Sequence, residues 1–220
     1  MDNDRPVLKV DGRRPLSADR IDAIGEACDR AEAHGSRIVL HVSGAPEGPW
    51  ADDLTVSLVS KWERALRRLE RLPAATVAVA DGDCGGLALD ALLATDYRIA
   101  TGSVRLVMPV RNGATWPGMA LYRLGRQGAG ASAIRRAVLF GTPVEAAEAL
   151  AVQLVDEVVD DPARALELAG ERLTAVAGSE LAIRRQLMLE ASTIGFEEAL
   201  GAHLAACDRA LRRAAAGVAP

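Results

Sequence analysis

The stretch LERLPAATVAVADGDCGGLALDALLATDYRIA (69–100) changes its hydrophobic period several times, and those changes set the fold. Leu69 closes a helical stripe that Leu54, Leu58, Trp62 and Leu66 begin, so a helix is predicted to open at Asp53 and to stop at Pro73. Ala75–Ala80 is short and apolar, as a buried strand is. Asp81-Gly82 predicts a turn, and Gly85-Gly86 leads into an apolar helix over 87–94. Tyr97–Ala100 then returns to strand.

The same alternation continues in both directions. Upstream, Val7–Val10 predicts a strand, 18–34 a helix capped by Ser17 and ended by Gly35, and 37–42 a second strand. Ser43–Pro49 (SGAPEGP) reads as a loop. Downstream, strands are predicted at 104–108 and 154–159, a Gly/Pro-rich loop at 112–118, and helices at 118–124, 129–139 and 143–151. From Pro162 to Ala215 the pattern is helical, with breaks near Gly178 and Gly195. Strands alternating with helices imply an α/β core over 1–161, followed by a helical region over 162–220. Helices of that tail that cannot bury their apolar stripes alone are expected to pack on another subunit.

Composition excludes several classes. Half of the 220 residues are apolar but only 3% are aromatic, so Ala, Leu and Val must fill the core. The net charge is -4, and the pairs Arg67-Arg68 and Arg212-Arg213 sit at helical spacing among Leu and Ala. They read as solvated helix faces, and no nucleic-acid partner is expected. Cys28, Cys84 and Cys207 are far apart and form no CxxC pair, so neither a metal site nor a disulfide framework is expected. His34, His41 and His203 have no spaced partners for a metal or a triad, and no dinucleotide fingerprint or nucleophile elbow is present. With no apolar signal region in MDNDRPVLKV and no run long enough to span a bilayer, a cytoplasmic protein is expected.

Three blocks then carry a family resemblance. Residues 69–100 end in Asp96-Tyr97-Arg98-Ile99-Ala100; 106–126 read LVMPVRNGATWPGMALYRLGR; 140–161 read FGTPVEAAEALAVQLVDEVVDD. In order and spacing they resemble the enoyl-CoA hydratase/isomerase (crotonase) superfamily. The resemblance implies an α/β fold, a ββα spiral core with a C-terminal helical oligomerisation region, assembled as a trimer or a dimer of trimers. It implies an acyl-CoA thioester as substrate and no separate cofactor.

In that family two backbone N–H groups hold the oxygen of a thioester enolate, a task suited to the exposed amides of a helix N-terminus. Counting back from Asp96 places Leu87, beside Gly86, at the first donor position. The second donor would be Ala51 or Asp52, in a loop shorter than the family's. Asp90 matches the first family glutamate, three residues past Leu87 and so on the same helix face. Its apolar neighbours would desolvate the carboxyl and raise its pKa towards a useful range. From the residues alone, an Asp reaching solvent or an Arg partner stays open. The second family glutamate would follow Pro109, where this chain has Val110. Standard water addition by two glutamates is therefore not expected. Asp83 reads as a turn cap, and Arg111 and Trp116 border the pocket, as loop anchors or as substrate contacts.

The small size, the aspartate and the missing glutamate resemble one branch, the small hydratase-like proteins of 3,5-dihydroxyphenylglycine biosynthesis. That implies dehydration or enolisation of a polyketide-CoA intermediate towards 3,5-dihydroxyphenylacetyl-CoA, beside a type III polyketide synthase. The alternatives are a fold that binds CoA thioesters or assists that synthase without chemistry, and, on the same scaffold, a hydrolase or decarboxylase.

Overall fold

The computed structural model describes residues 6–48, 50–128, 131–174 and 178–215. The first five residues, Pro49, the start of the helix expected at 129, and residues 175–177 before the Gly178 break lie outside this set.

Along the chain the elements are β1 (Val7–Asp11), α1 (Ala18–His34), β2 (Ile38–Gly44), α2 (Val56–Leu69), β3 (Thr76–Gly85), α3 (Leu87–Leu93), β4 (Tyr97–Thr101) and β5 (Arg105–Val107). There follow the short strands β6 (Val110–Arg111) and β7 (Ala114–Thr115), then α4 (Met119–Gly128), α5 (Ser132–Phe140), β8 (Val144–Glu145), α6 (Ala146–Ala151) and β9 (Glu157–Val159). Helices α7 (Pro162–Thr174), α8 (Ser179–Glu190) and α9 (Phe196–Ala215) complete it. The main sheet runs β1-β2-β3-β4-β9, all parallel, as expected of strands joined by helices. The α/β class and the C-terminal helical region are therefore as expected.

Strand β3 departs from the expected pattern. It does not stop at Asp81-Gly82 but bends there: Gly82 takes φ +63°, and the chain continues to pair in parallel with β5, Asp83 opposite Arg105. The Asp81 carboxylate accepts from Thr101 Oγ1 (2.7 Å) and Ser103 Oγ (2.8 Å), which secures the bend against the β4–β5 turn. Glycine's freedom at positive φ thus kinks a strand that a residue with a side chain would have kept straight or ended. Asp83 caps no turn; it holds Arg105 through two 2.7 Å bonds. One strand so serves two directions of sheet, which gives the core its spiral form.

Three smaller differences have local causes. Helix α2 starts at Val56 rather than Asp53, because Thr55 caps it, its hydroxyl accepting from Leu58 N at 3.2 Å. The loop after Pro109 contains the hairpin β6–β7, turned by Asn112 (φ 54°) and Gly113 (φ 79°), the residue pair that a two-residue hairpin favours. Strand β9 is confined to three residues, preceded by the left-handed Gln153.

The core lies between the sheet and α1, α2 and α3, and Ile24, Leu40, Leu66, Leu89 and Leu92 are almost fully buried in it. On the other face, α7 packs Ala165 and Ala169 against Val77, Val79 and Ile99. Truncating one of the large core residues, such as Leu66, to alanine is expected to cost about 2–5 kcal/mol. The tail helix α8 is tied to this core by Arg185. Its side chain is 6% exposed and pairs with Asp96 (2.6 Å), while donating to the carbonyls of Leu72 (2.6 Å) and Ala74 (3.0 Å). Asp96 also accepts from Thr76 N and Oγ1, both at 2.9 Å, so the Asp-Tyr-Arg-Ile-Ala segment is a structural fastening. No helix among the described residues is long and apolar enough to cross a membrane.

Candidate active site

The Gly-rich turn forms because β3 must hand over to α3 in very little space. Gly86 has φ +54°, and a Cβ there would lie 2.6 Å from Pro46 Cγ; a Cβ on Gly85 would lie 2.8 Å from the Val107 carbonyl oxygen. Only glycine fits both conformation and space at position 86. Helix α3 then runs with five of its first six residues buried, and the Asp90 N–H closes the first turn onto the Gly86 carbonyl at 2.9 Å. By helix geometry the amides of Leu87, Ala88 and Leu89 are left without partners in the helix.

A cavity of about 50 Å³ opens in front of this turn. Gly86, Leu87 and Asp90 form one wall, and Pro46, Trp50, Leu54 and Trp116 face them. Trp50 and Trp116 meet edge to face, ring centres 5.2 Å apart at 84°. Of the residues singled out by sequence, Gly86, Leu87, Asp90 and Trp116 are thus brought together. Ala51 and Asp52 are not at this wall: Ala51 is buried, and Asp52 faces outward to Arg111 at 3.1 Å. Trp50, the residue before them, lines the cavity instead. Val110 lies in β6, 49% exposed and away from the cavity, while Pro109 lines it.

Asp90 carries the electrostatics of the site. Trp62 Nε1 donates to its Oδ2 at 3.2 Å, and the Ala120 N–H donates as well. Although the residue keeps some surface towards the cavity, its carboxyl is enclosed by protein. Burial, and next the negative charge of Glu63, push its pKa from 3.8 up to about 7; Arg123 and the two donors oppose them. An aspartate near that value exchanges protons readily at neutral pH.

Two further residues were not foreseen. Glu63, next to Trp62 on α2, lines the same cavity, and Arg123 of α4 lies behind it. Arg123 is 6% exposed and pairs with Glu63 at 2.9 Å and with Glu70 at 2.8 Å. Burial raises the Glu63 pKa, with Arg123 opposing. For Arg123 burial acts downward, but Glu63, Glu70 and Asp90 outweigh it and the net shift is upward. In the sequence, Glu63 and Glu70 sit among Arg64, Arg67 and Arg68 and look like a solvated face. The available signal was the seven-residue spacing of Glu63 and Glu70, alongside the Trp62–Leu66–Leu69 stripe.

A larger groove, about 680 Å³, lies at the far end of α3, lined by Thr95, Asp96, Arg98 and Arg185. Asp96 and Arg185 there bond each other, Arg98 bonds backbone carbonyls, Glu70 and Arg123 line it as well, and it lacks the Gly86–Leu87 turn. The smaller cavity is therefore the candidate site.

Comparison with known proteins gives the family. Residues 52–211 match the family model for enoyl-CoA hydratase/isomerase. An enoyl-CoA hydratase of Amycolatopsis orientalis is 54% identical over 97% of this chain and 99% of its own length. In fold the chain resembles an enoyl-CoA hydratase of Mycobacterium smegmatis (TM-score 0.79, 19% identity, 96% of this chain and 89% of that one). It also resembles an enoyl-CoA hydratase/isomerase of Marinobacter aquaeolei (TM-score 0.78, 17% identity, 94% and 89%). The chain belongs to the enoyl-CoA hydratase/isomerase family. An enzyme of this general type, acting on acyl-CoA thioesters, is what the family supports.

Proposed function

We propose that this chain enolises an acyl-CoA thioester, with Asp90 as the proton carrier and the Leu87 N–H, beside Gly86, as a donor to the thioester oxygen. The observation that carries the reading is Asp90's position one turn into α3, inside the cavity that Gly86 and Leu87 open, with its pKa raised to about 7. In the ionised form the carboxylate takes a proton from the α-carbon, and the C–H electron pair moves onto the carbonyl as an enolate. Protonated Asp90 then returns the proton, either to carbon in an isomerisation or to a β-hydroxyl that leaves as water in a dehydration.

Dehydration or enolisation of a polyketide-CoA intermediate, towards 3,5-dihydroxyphenylacetyl-CoA, suits the narrow cavity walled by Trp50 and Trp116, since conjugated acyl groups are flat. The proposed setting is the cytoplasm, beside a type III polyketide synthase. Self-association as a trimer or hexamer fits the exposed apolar residues of α9, Phe196, Leu204 and Leu211, which are 58–76% exposed. No cofactor beyond the CoA thioester is invoked. One observation favours a second reading, a catalytically degenerate fold that binds thioesters or assists the synthase: Val110 leaves the position after Pro109 without a carboxylate.

Exchange of α-protons of short saturated and β-keto acyl-CoA thioesters in D2O, followed by NMR, tests the proposal. The wild type should exchange them, and Asp90→Asn should lose exchange while keeping its fold and CoA affinity. Equal exchange in Asp90→Asn would remove the catalytic reading.

A further inference from the structure

We infer that Glu63 is a positioning residue for Asp90: the two carboxylates act as a pair that holds one proton at rest, with Arg123 as Glu63's counter-ion. This deepens the preceding reading and rests on it. Glu63 reaches the cavity from α2 and Asp90 from α3, and the two helices are linked there by the Trp62–Asp90 bond.

The charges around Asp90 decide how the pair behaves. From α2 come Glu63 and Glu70; from α4 comes Arg123; Arg67 of α2 meets Glu70 at 2.9 Å. Arg14, from the β1–α1 loop, also lines the cavity, but its side chain is 67% exposed, and water screens it. By contact, the buried Arg123 serves two carboxylates, bonding Glu70 at 2.8 Å and lying 2.9 Å from Glu63, while Arg67, which also meets Glu70, is 42% exposed. Asp90 is left with neutral donors, Trp62 and the Ala120 amide. Glu63 and Asp90 thus share a cavity of about 50 Å³, too small for much solvent, and the one buried guanidinium beside it is divided between Glu63 and Glu70. Like charges so confined do not both ionise freely, and the more enclosed member keeps the proton.

The Glu63–Arg123 pair is not a fully satisfied structural bridge. Glu63 Oε2 and Arg123 Nη1 stand 2.9 Å apart, yet neither atom has an aligned hydrogen bond. Arg123 is therefore placed between Glu63, Glu70 and Asp90 without being saturated by any one of them. With Glu63 ionised, Arg123 is held towards α2 and Asp90 is a strong enough base for an α-proton. With Glu63 neutralised by mutation, Arg123 has charge to spare, and Asp90 becomes more acidic and a weaker base. Glu63 itself exchanges no proton with substrate in this scheme.

The test is the pH dependence of α-proton exchange in butyryl-CoA, read beside the ¹³C titration of the Asp90 carboxyl. Wild-type exchange should rise with pH through a midpoint near 7. Glu63→Gln should move both midpoints down by about one pH unit and lower the plateau rate. Glu63→Asp, which keeps the charge, should restore most of the shift. A folded Glu63→Gln protein with unmoved midpoints, while Asp90→Asn has lost exchange, would overturn the inference and leave the proposed function standing. Undiminished exchange in Asp90→Asn would overturn the function itself. Should Glu63→Gln not fold, the Asp90 titration in Arg123→Lys serves instead. The shorter, non-forked ammonium cannot hold Glu63 and Glu70 together, so less positive charge reaches the carboxylate pair and the Asp90 midpoint should rise; an unchanged one overturns the pairing.

Discussion

The two ends of α3 each meet a buried acid and a buried arginine, and the pairs differ in how completely they are satisfied. At the C-terminal end, Asp96 and Arg185 share bonds at 2.6 Å, and their remaining capacity goes to Thr76 and to backbone carbonyls. At the N-terminal end, Asp90, Glu63 and Arg123 sit in one crowded site with misaligned contacts and displaced proton affinities. A satisfied network fixes geometry, whereas an enclosed and under-satisfied one stores a readiness to move a proton. The same residue types thus serve structure at one end and, on the function proposed here, chemistry at the other.

That contrast is most sharply broken by mutation. Asp90→Asn should reduce turnover by about 10²–10⁴-fold, the usual range for a general acid–base group, as measured by exchange or dehydration kinetics. Arg185→Met should leave the carbonyls of Leu72 and Ala74 without their donor, and Asp96 with only Thr76 and no counter-ion, and cost about 3–5 kcal/mol in chemical denaturation. Activity at the other end should fall only as far as the folded fraction does.

The pH dependence of stability separates the ends too. Because the folded-state pKa of Asp90 lies above its unfolded value of 3.8, the folded form binds the proton more tightly. Its contribution is fully present below pH 3.8 and is lost as pH rises towards about 7. Asp90→Asn should therefore melt at a higher temperature than wild type at pH 8, and the gap should narrow towards pH 4.5. Differential scanning calorimetry at both pH values checks this. The smallest effect is expected for Arg212→Ala: its pair with Asp208 on α9 is 80% and 59% exposed, so denaturation should change by less than about 0.5 kcal/mol.

What could be read from the sequence divides along a similar line. Strands β1 to β4 and helix α3 were legible because each depends on residues near it in the chain, a period or a Gly-Gly turn. Asp90, in contrast, was singled out by family likeness, and its enclosure depends on Trp62 and Ala120 from other helices. The bend in β3 was not, since Asp81-Gly82 signals a turn equally well whether the strand ends or continues; only Thr101 and Ser103, twenty residues on, decide it. Glu63 and Arg123 were hidden for the same reason. Each looks solvent-facing within its own helix, and only the packing of α4 beside α2 encloses them. Ala51 and Asp52 were placed by likeness to the family's longer loop, and neither lines the cavity.

The fastening of Arg185 has a consequence for how the polypeptide can be divided. Residues 1–161 look self-sufficient on paper, yet the guanidinium that stoppers the carbonyls of Leu72 and Ala74 arrives from beyond that cut. A fragment ending there would leave those carbonyls and Asp96 without the guanidinium they share. The tail is thus a keystone for the core, and its loss should lower the stability of the whole fold.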